Sequence, residues 1–177
     1  MAQQQRVQTE SLRRTRWAWW LSTWFGCGYL GPGPGTYGSV AAVLLWLAGA
    51  HLLEPATNST VGAGTLVAAV VVTLVGIRAS TIVARESGRK DPGFVVIDEV
   101  AGQWIALVPL SPTLAHALLG LVLFRAFDIS KWPPVIRRLE AQPEGRGIML
   151  DDVCAGAFAA VCGAIFVWLA PRLHGVL

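Results

Sequence analysis

Five apolar runs divide the chain, at residues 40–53, 61–77, 94–110, 113–127 and 153–170, and the polar residues collect in the segments between them. Several runs fall short of the about 20 residues that a straight membrane crossing needs. The glycine-rich segment before the first run can lengthen it, and residues 84–91 can precede the third as an interfacial turn. The pattern predicts an all-α fold: a multihelical bundle, a polytopic membrane protein with about four to five membrane-associated helices. A soluble bundle of unusually apolar helices is the alternative.

Composition favours the membrane. The 177 residues are 54% hydrophobic and only 14% charged, with mean hydropathy +0.53, whereas a soluble domain carries about 25% charged residues. The length fits one domain. Residues 26–177 are therefore expected to form a single helical domain, preceded by a basic, tryptophan-rich segment at 1–25. That segment holds Arg6, Arg13, Arg14 and Arg16, then Trp17, Trp19, Trp20 and Trp24. It has no apolar stretch long enough for a cleaved signal peptide, and it suits a helix lying in the membrane interface, with a partly disordered basic tail as the alternative.

Charge gives an orientation. With residue 1 in the cytoplasm and all five runs crossing, segments 78–93 and 128–152 lie inside and hold Arg78, Arg85, Arg89, Lys90, Lys131, Arg137, Arg138 and Arg146. The outside segments, 51–60 and 111–112, hold no lysine or arginine, so the positive-inside rule is met. The net charge of +3 and the clustered arginines suit anionic lipid headgroups, and no nucleic-acid motif is present. Cys27, Cys154 and Cys162 show no CxxC or zinc spacing, and the first arginine after Cys27 is Arg78, so cysteine chemistry is not expected.

The same topology gathers the acids. Four of the five aspartates, Asp98, Asp128, Asp151 and Asp152, lie with Glu99 at the cytoplasmic ends of apolar runs, where a carboxylate is costly unless paired or metal-bound. Asp98–Glu99 and Asp151–Asp152 each open a run and are each followed about one turn later by a glycine, Gly102 or Gly156, which lets helices approach until the carboxylates converge. Adjacent helical residues point about 100° apart, so each pair can offer one carboxylate to a shared centre. Hard oxygen donors without a nearby histidine suit Mg²⁺; His51, His116 and His174 fall towards the outer side. Helix capping accounts readily for one acidic pair but poorly for five acids on one face.

Anion-binding groups are expected beside them. Residues 26–39 contain six glycines and two prolines, which predicts a structured loop instead of a regular helix. Its backbone N–H groups, with Gly35, Thr36 and Ser39, can form a phosphate cradle; a tight turn capped by Ser39 is the competing reading. Arg125, Lys131 and Arg146 lie next to acids and are candidates for holding phosphate. Arg137, Arg138 and Glu140 read as a solvated, headgroup-facing surface.

In their order along the chain, GPGPGTYGS, DPGFVVIDEVAGQW, FRAFDISKWPP and GRGIMLDDVCAG resemble the successive motifs of the phosphatidylglycerophosphatase A family, from about Gly26 to Gly156. The chain departs from the family pattern in placing Trp132 between Lys131 and Pro133. The resemblance implies a Mg²⁺-dependent lipid phosphatase of the bacterial inner membrane, multi-pass, with its active site facing the cytoplasm. It implies hydrolysis of phosphatidylglycerophosphate to phosphatidylglycerol and inorganic phosphate. Carried over as motif residues are Asp98, Glu99, Asp128, Asp151 and Asp152, with Arg125 and Lys131. The expected partners are phosphatidylglycerophosphate and membrane lipids; the oligomeric state stays open. Water or an aspartate remain alternative nucleophiles. A Mg²⁺-dependent headgroup transferase and a small cation transporter are the rival functions, although acids at one face suit a transport site poorly.

Overall fold

The computed structural model describes residues 14–53 and 56–174, with backbone only at 171–174, so Arg6 and Arg13 lie outside the described residues. The elements are α1 (Arg16–Ser22), a short 3₁₀ turn (Cys27–Tyr29), α2 (Pro34–Leu52), α3 (Asn58–Ser87), α4 (Ile97–Leu107), α5 (Leu114–Ser130), α6 (Val135–Glu140) and α7 (Glu144–His174). No strand occurs among the described residues.

Helix α4 is the central post. Its residues enter all three buried clusters: Val100, Trp104 and Leu107 in one, Ile97 and Ala101 in the second, Ala106 in the third. An 11-residue helix is about 16 Å long, too short to cross a bilayer by itself, and most of its side chains are buried by the helices that surround it. Those helices alternate in direction. At one end Asn58 donates to Ser111 at 3.1 Å, joining the start of α3 to the turn after α4. At the other, Gly145 N–H donates to Thr81 Oγ1 at 3.2 Å, joining the start of α7 to the last third of α3.

Three helices, Pro34–Leu52, Asn58–Ser87 and Glu144–Ala170, are long and apolar enough to cross a membrane. Helix α5, with 17 residues, runs beside them. Large apolar side chains face outward along this belt, among them Leu44, Leu66, Val67, Leu74, Val122, Ile165 and Phe166. Lipid is the solvent such a surface suits. Inside the belt two indoles are tied: Trp46 donates to Thr65 Oγ1 and Trp104 to the Ala42 carbonyl, each at 3.0 Å.

Three expectations change. The 26–39 segment is not a loop throughout, because α2 begins at Pro34, a residue preset for the first helical position, after Gly33 in left-handed backbone at φ 82°. Gly35 and Gly38 are helical; a Cβ on Gly35 would overlap the Glu99 carboxylate, and one on Gly38 would crowd Val96 at 3.0 Å. These glycines serve close packing. Nor is the 84–91 segment a turn throughout: α3 continues to Ser87 and ends at Gly88 in left-handed backbone, so only residues 88–91 leave the helix. At the chain start, Trp17 and Trp20 are exposed as an interfacial helix requires, but Trp19 is buried and bonds to Glu86 Oε2 at 2.6 Å, and Trp24 packs edge-on against Trp104.

Candidate active site

The acids at the ends of the apolar runs converge because glycines allow it. A Cβ on Gly102 of α4 would lie 2.5 Å from both the Asp152 carbonyl and the Phe124 ring, and one on Gly156 of α7 would overlap Gly102. This contact sets Asp98 and Glu99, in the first turn of α4, against Asp151 and Asp152 of α7. Asp128 comes from the last turns of α5, and Lys131 follows it in left-handed backbone at φ 50°. Trp132 therefore does not displace Lys131 from the acids.

One carboxylate oxygen each from Asp98, Glu99 and Asp152 lie within 4.8 Å of one another. Lys131 Nζ sits 2.7 Å from Asp151 Oδ2, 3.0 Å from Asp128 Oδ1 and 3.7 Å from Asp152 Oδ1. Arg125 Nη1 lies 2.6 Å from Asp128 Oδ2 and 4.0 Å from Glu99 Oε1. Burial by itself would depress the Lys131 ammonium, but Asp152, Asp151 and Asp128 outweigh it and hold its pKa above the ordinary value.

These groups line a cavity of ≈ 470 Å³, whose wall also includes Gly33, Pro34 and Gly35 at the start of α2. Its depth is graded: Asp128, Asp151 and Asp152 are buried, while Lys90, Asp91, Glu140 and Gln142 at the mouth are exposed. Sequence reasoning missed these mouth residues. Asp91 opens the DPGFVVIDEVAGQW motif and Lys90 directly precedes it, in a segment that reads only as an interfacial turn, and Glu140 reads as surface until α6 folds over α7.

The remaining candidates separate. Thr36 and Arg146 are exposed and are not among the cavity-lining residues. Ser39 is fully buried and its Oγ donates to the Gly35 carbonyl at 2.9 Å, so it neither caps α2 nor faces the cavity. No histidine or cysteine lines the wall.

The donor set fits a hard divalent cation. Asp98 Oδ1, Glu99 Oε2 and Asp151 Oδ1 are buried with no hydrogen-bond partner among the described residues, an arrangement that is costly unless something cationic or hydrogen-donating meets them. Five carboxylates face Arg125 and Lys131 alone in the inner cavity, leaving excess negative charge. All donors are oxygen, the preference of Mg²⁺. Capping does not explain Asp151 and Asp152, since α7 begins at Glu144 and both lie well inside it.

The chain matches the family described as Phosphatidylglycerophosphatase A over residues 20–167. A Haemophilus influenzae protein named phosphatidylglycerophosphatase A is 35% identical over 152 residues, 84% of this chain and 88% of the relative. An Escherichia coli protein of the same name is 34% identical over 144 residues, 79% and 77% of the two chains. A Bacteroides thetaiotaomicron protein, named provisionally as a phosphatidylinositol-3-phosphatase, is 34% identical over 152 residues, 84% and 92% of the two. No solved structure gives a significant match.

Proposed function

The chain belongs to the phosphatidylglycerophosphatase A family, and from that premise we propose that the acidic cavity is where it hydrolyses phosphatidylglycerophosphate with the help of Mg²⁺. The enzyme is a phosphoric monoester hydrolase acting on a membrane lipid, releasing phosphatidylglycerol and inorganic phosphate. The observation that carries the site assignment is the approach of Asp98, Glu99 and Asp152 to within 4.8 Å beside two cations on the same wall.

Asp98, Glu99 and Asp152 would hold the cation, with Asp128 and Asp151 as further ligands or as acceptors for the proton of the attacking water. When bound, Mg²⁺ supplies a Lewis acid for phosphoryl oxygen and lowers the pKa of water. The chain's own residues do the rest. Arg125 and Lys131 neutralise the phosphoryl oxygens, and the N-terminus of α2 aims its dipole at the same anion through the Gly33–Gly35 wall. Water forms the new P–O bond as the bond to the glycerol oxygen breaks, and the alkoxide takes up a proton. Lys90 at the mouth is set to meet the second, diester phosphate of the headgroup.

The protein is a membrane protein by its three apolar helices. The inner membrane and a cytoplasm-facing site are proposals supported by the basic residues gathered at the site end of the bundle and by their absence from the opposite turns. The deciding experiment is phosphate release from phosphatidylglycerophosphate by the purified protein in detergent, first with Mg²⁺ and then with EDTA. Release that EDTA stops supports the reading. Release that EDTA leaves intact overturns the metal assignment, and loss of headgroup without free phosphate indicates a transferase. Phosphatidylinositol 3-phosphate is the comparator substrate, given the name of one relative.

A further inference from the structure

Gln103 of α4 is fully buried, yet neither its Oε1 nor its Nε2 has a hydrogen-bond partner among the described residues. An amide in that condition inside an apolar bundle is costly, and a leucine of similar volume would avoid the cost. The position needs a reason.

The reason lies one turn away. Residues four apart on a helix share a face, so Gln103 stacks directly beneath Glu99. Its neighbours fix the register: Gly102 faces α7 and Phe124, and Trp104 is tied to α2 through the Ala42 carbonyl at 3.0 Å. Gln103 is thereby directed to the side where Glu99 meets Gly35 of α2 and Arg125 of α5. On that side two further buried atoms lack partners among the described residues, Glu99 Oε2 and Arg125 Nε. Glu99 has its other oxygen, Oε1, 4.0 Å from Arg125 Nη1. By helical register, a carboxylate, a guanidinium nitrogen and an amide, each incompletely bonded, thus fall on the same side of α4.

We propose that Gln103 is a positioning residue for the cation site: its amide, through one trapped water, holds the Glu99 carboxylate and fixes which oxygen turns towards the metal. Partners of this kind set the orientation and basicity of ligands they do not replace. The proposal rests on the reading that Asp98, Glu99 and Asp152 hold a divalent cation.

The test is Mn²⁺ binding to the purified protein in detergent, followed by the electron paramagnetic resonance of free Mn²⁺, for the wild type, Gln103→Leu and Gln103→Met. Thermal unfolding without metal is measured alongside. The expected result is Mn²⁺ affinity weakened about tenfold to a hundredfold in both variants, with metal-free melting unchanged or raised because a buried unpaired amide is gone. Gln103→Met, unbranched and flexible, guards against a misfit specific to leucine. Wild-type Mn²⁺ affinity in either folded variant overturns the proposal and leaves Gln103 a packing residue. A wild type that binds no Mn²⁺ overturns the metal reading itself, and the proposal with it.

Discussion

Gly102 of α4 and Gly156 of α7 meet backbone to backbone: a Cβ on Gly156 would overlap the Gly102 carbonyl group. No rotamer change can relieve such a clash, so the two helices must part. Asp152 sits one turn before Gly156 and would move away from Asp98 and Glu99. Gly156→Ala is expected to cost about 1–3 kcal/mol of stability, the usual penalty of overpacking, and to lower phosphatase activity more than about tenfold. Gly49→Ala is the control, because nothing lies within 4 Å of its added methyl; it should leave turnover unchanged and melting unchanged or raised, alanine being the better helix former. Equal behaviour of the two variants would remove the glycine contact from the account of the site.

The second prediction follows from charge. Asp98 offers a buried oxygen with no partner among the described residues in a cluster where acids outnumber cations. Asp98→Asn keeps the side chain's size while removing one negative charge. Without metal the variant should melt at a higher temperature than the wild type, because repulsion is relieved. With Mg²⁺ its turnover should fall more than about a hundredfold, and more Mg²⁺ should be needed for half-maximal rate. Near wild-type activity would sink the assignment of Asp98 as a ligand.

Much of this site is legible in sequence for a simple reason: a charged residue at the edge of an apolar run has few ways to be tolerated. Asp98, Glu99, Asp128, Asp151 and Asp152 stand out on that ground alone, and Gly102 and Gly156 stand out through their spacing from the acids. What composition hides is which part of a glycine-rich stretch is helical. Gly35 and Gly38 look like loop residues, yet they sit in α2 because Glu99 and Val96 press against them, a contact across about 60 residues of chain that local propensity cannot report. Ser39 and Arg146 do not line the cavity for a related reason: one is buried on the packed side of its helix and the other is exposed. Gln103 gives no sequence signal beyond being polar among apolar neighbours.

Lys131 supports a third prediction that separates two roles. Its ammonium bridges α5 to α7 through Asp128 and Asp151. Lys131→Gln should destabilise the metal-free protein by about 1–3 kcal/mol, since carboxylates lose their counter-ion. Saturating Mg²⁺ should restore most of that stability, because a cation can take over the balance of charge. It should not restore turnover if Lys131 also neutralises the phosphoryl group; kcat should stay more than about tenfold low. Recovery of both properties in high Mg²⁺ would reduce Lys131 to a counter-ion.

The fourth prediction concerns how the enzyme tells its substrate from a simpler phosphorylated lipid. Phosphatidylglycerophosphate carries a terminal phosphomonoester and, one glycerol further along, a phosphodiester; phosphatidate has the monoester alone. Arg125 and Lys131 are both engaged with the deep carboxylates, so they serve the terminal group. At the mouth the neighbours are Asp91 and Glu140, with Glu144 paired to Arg85 at 2.7 Å and Lys90 the cation among them on the cavity wall. A diester anion held against Asp91 and Glu140 would be repelled unless Lys90 faced it. Lys90→Gln should therefore raise KM for phosphatidylglycerophosphate about tenfold, equivalent to about 1.4 kcal/mol, while leaving kcat nearly unchanged, the signature of lost ground-state binding. For phosphatidate the substitution should change neither parameter. Lys90→Arg should behave like the wild type on both lipids. A matching rise in KM for phosphatidate would show that Lys90 attracts any anionic lipid to the mouth, and an unchanged KM for both would remove it from recognition altogether.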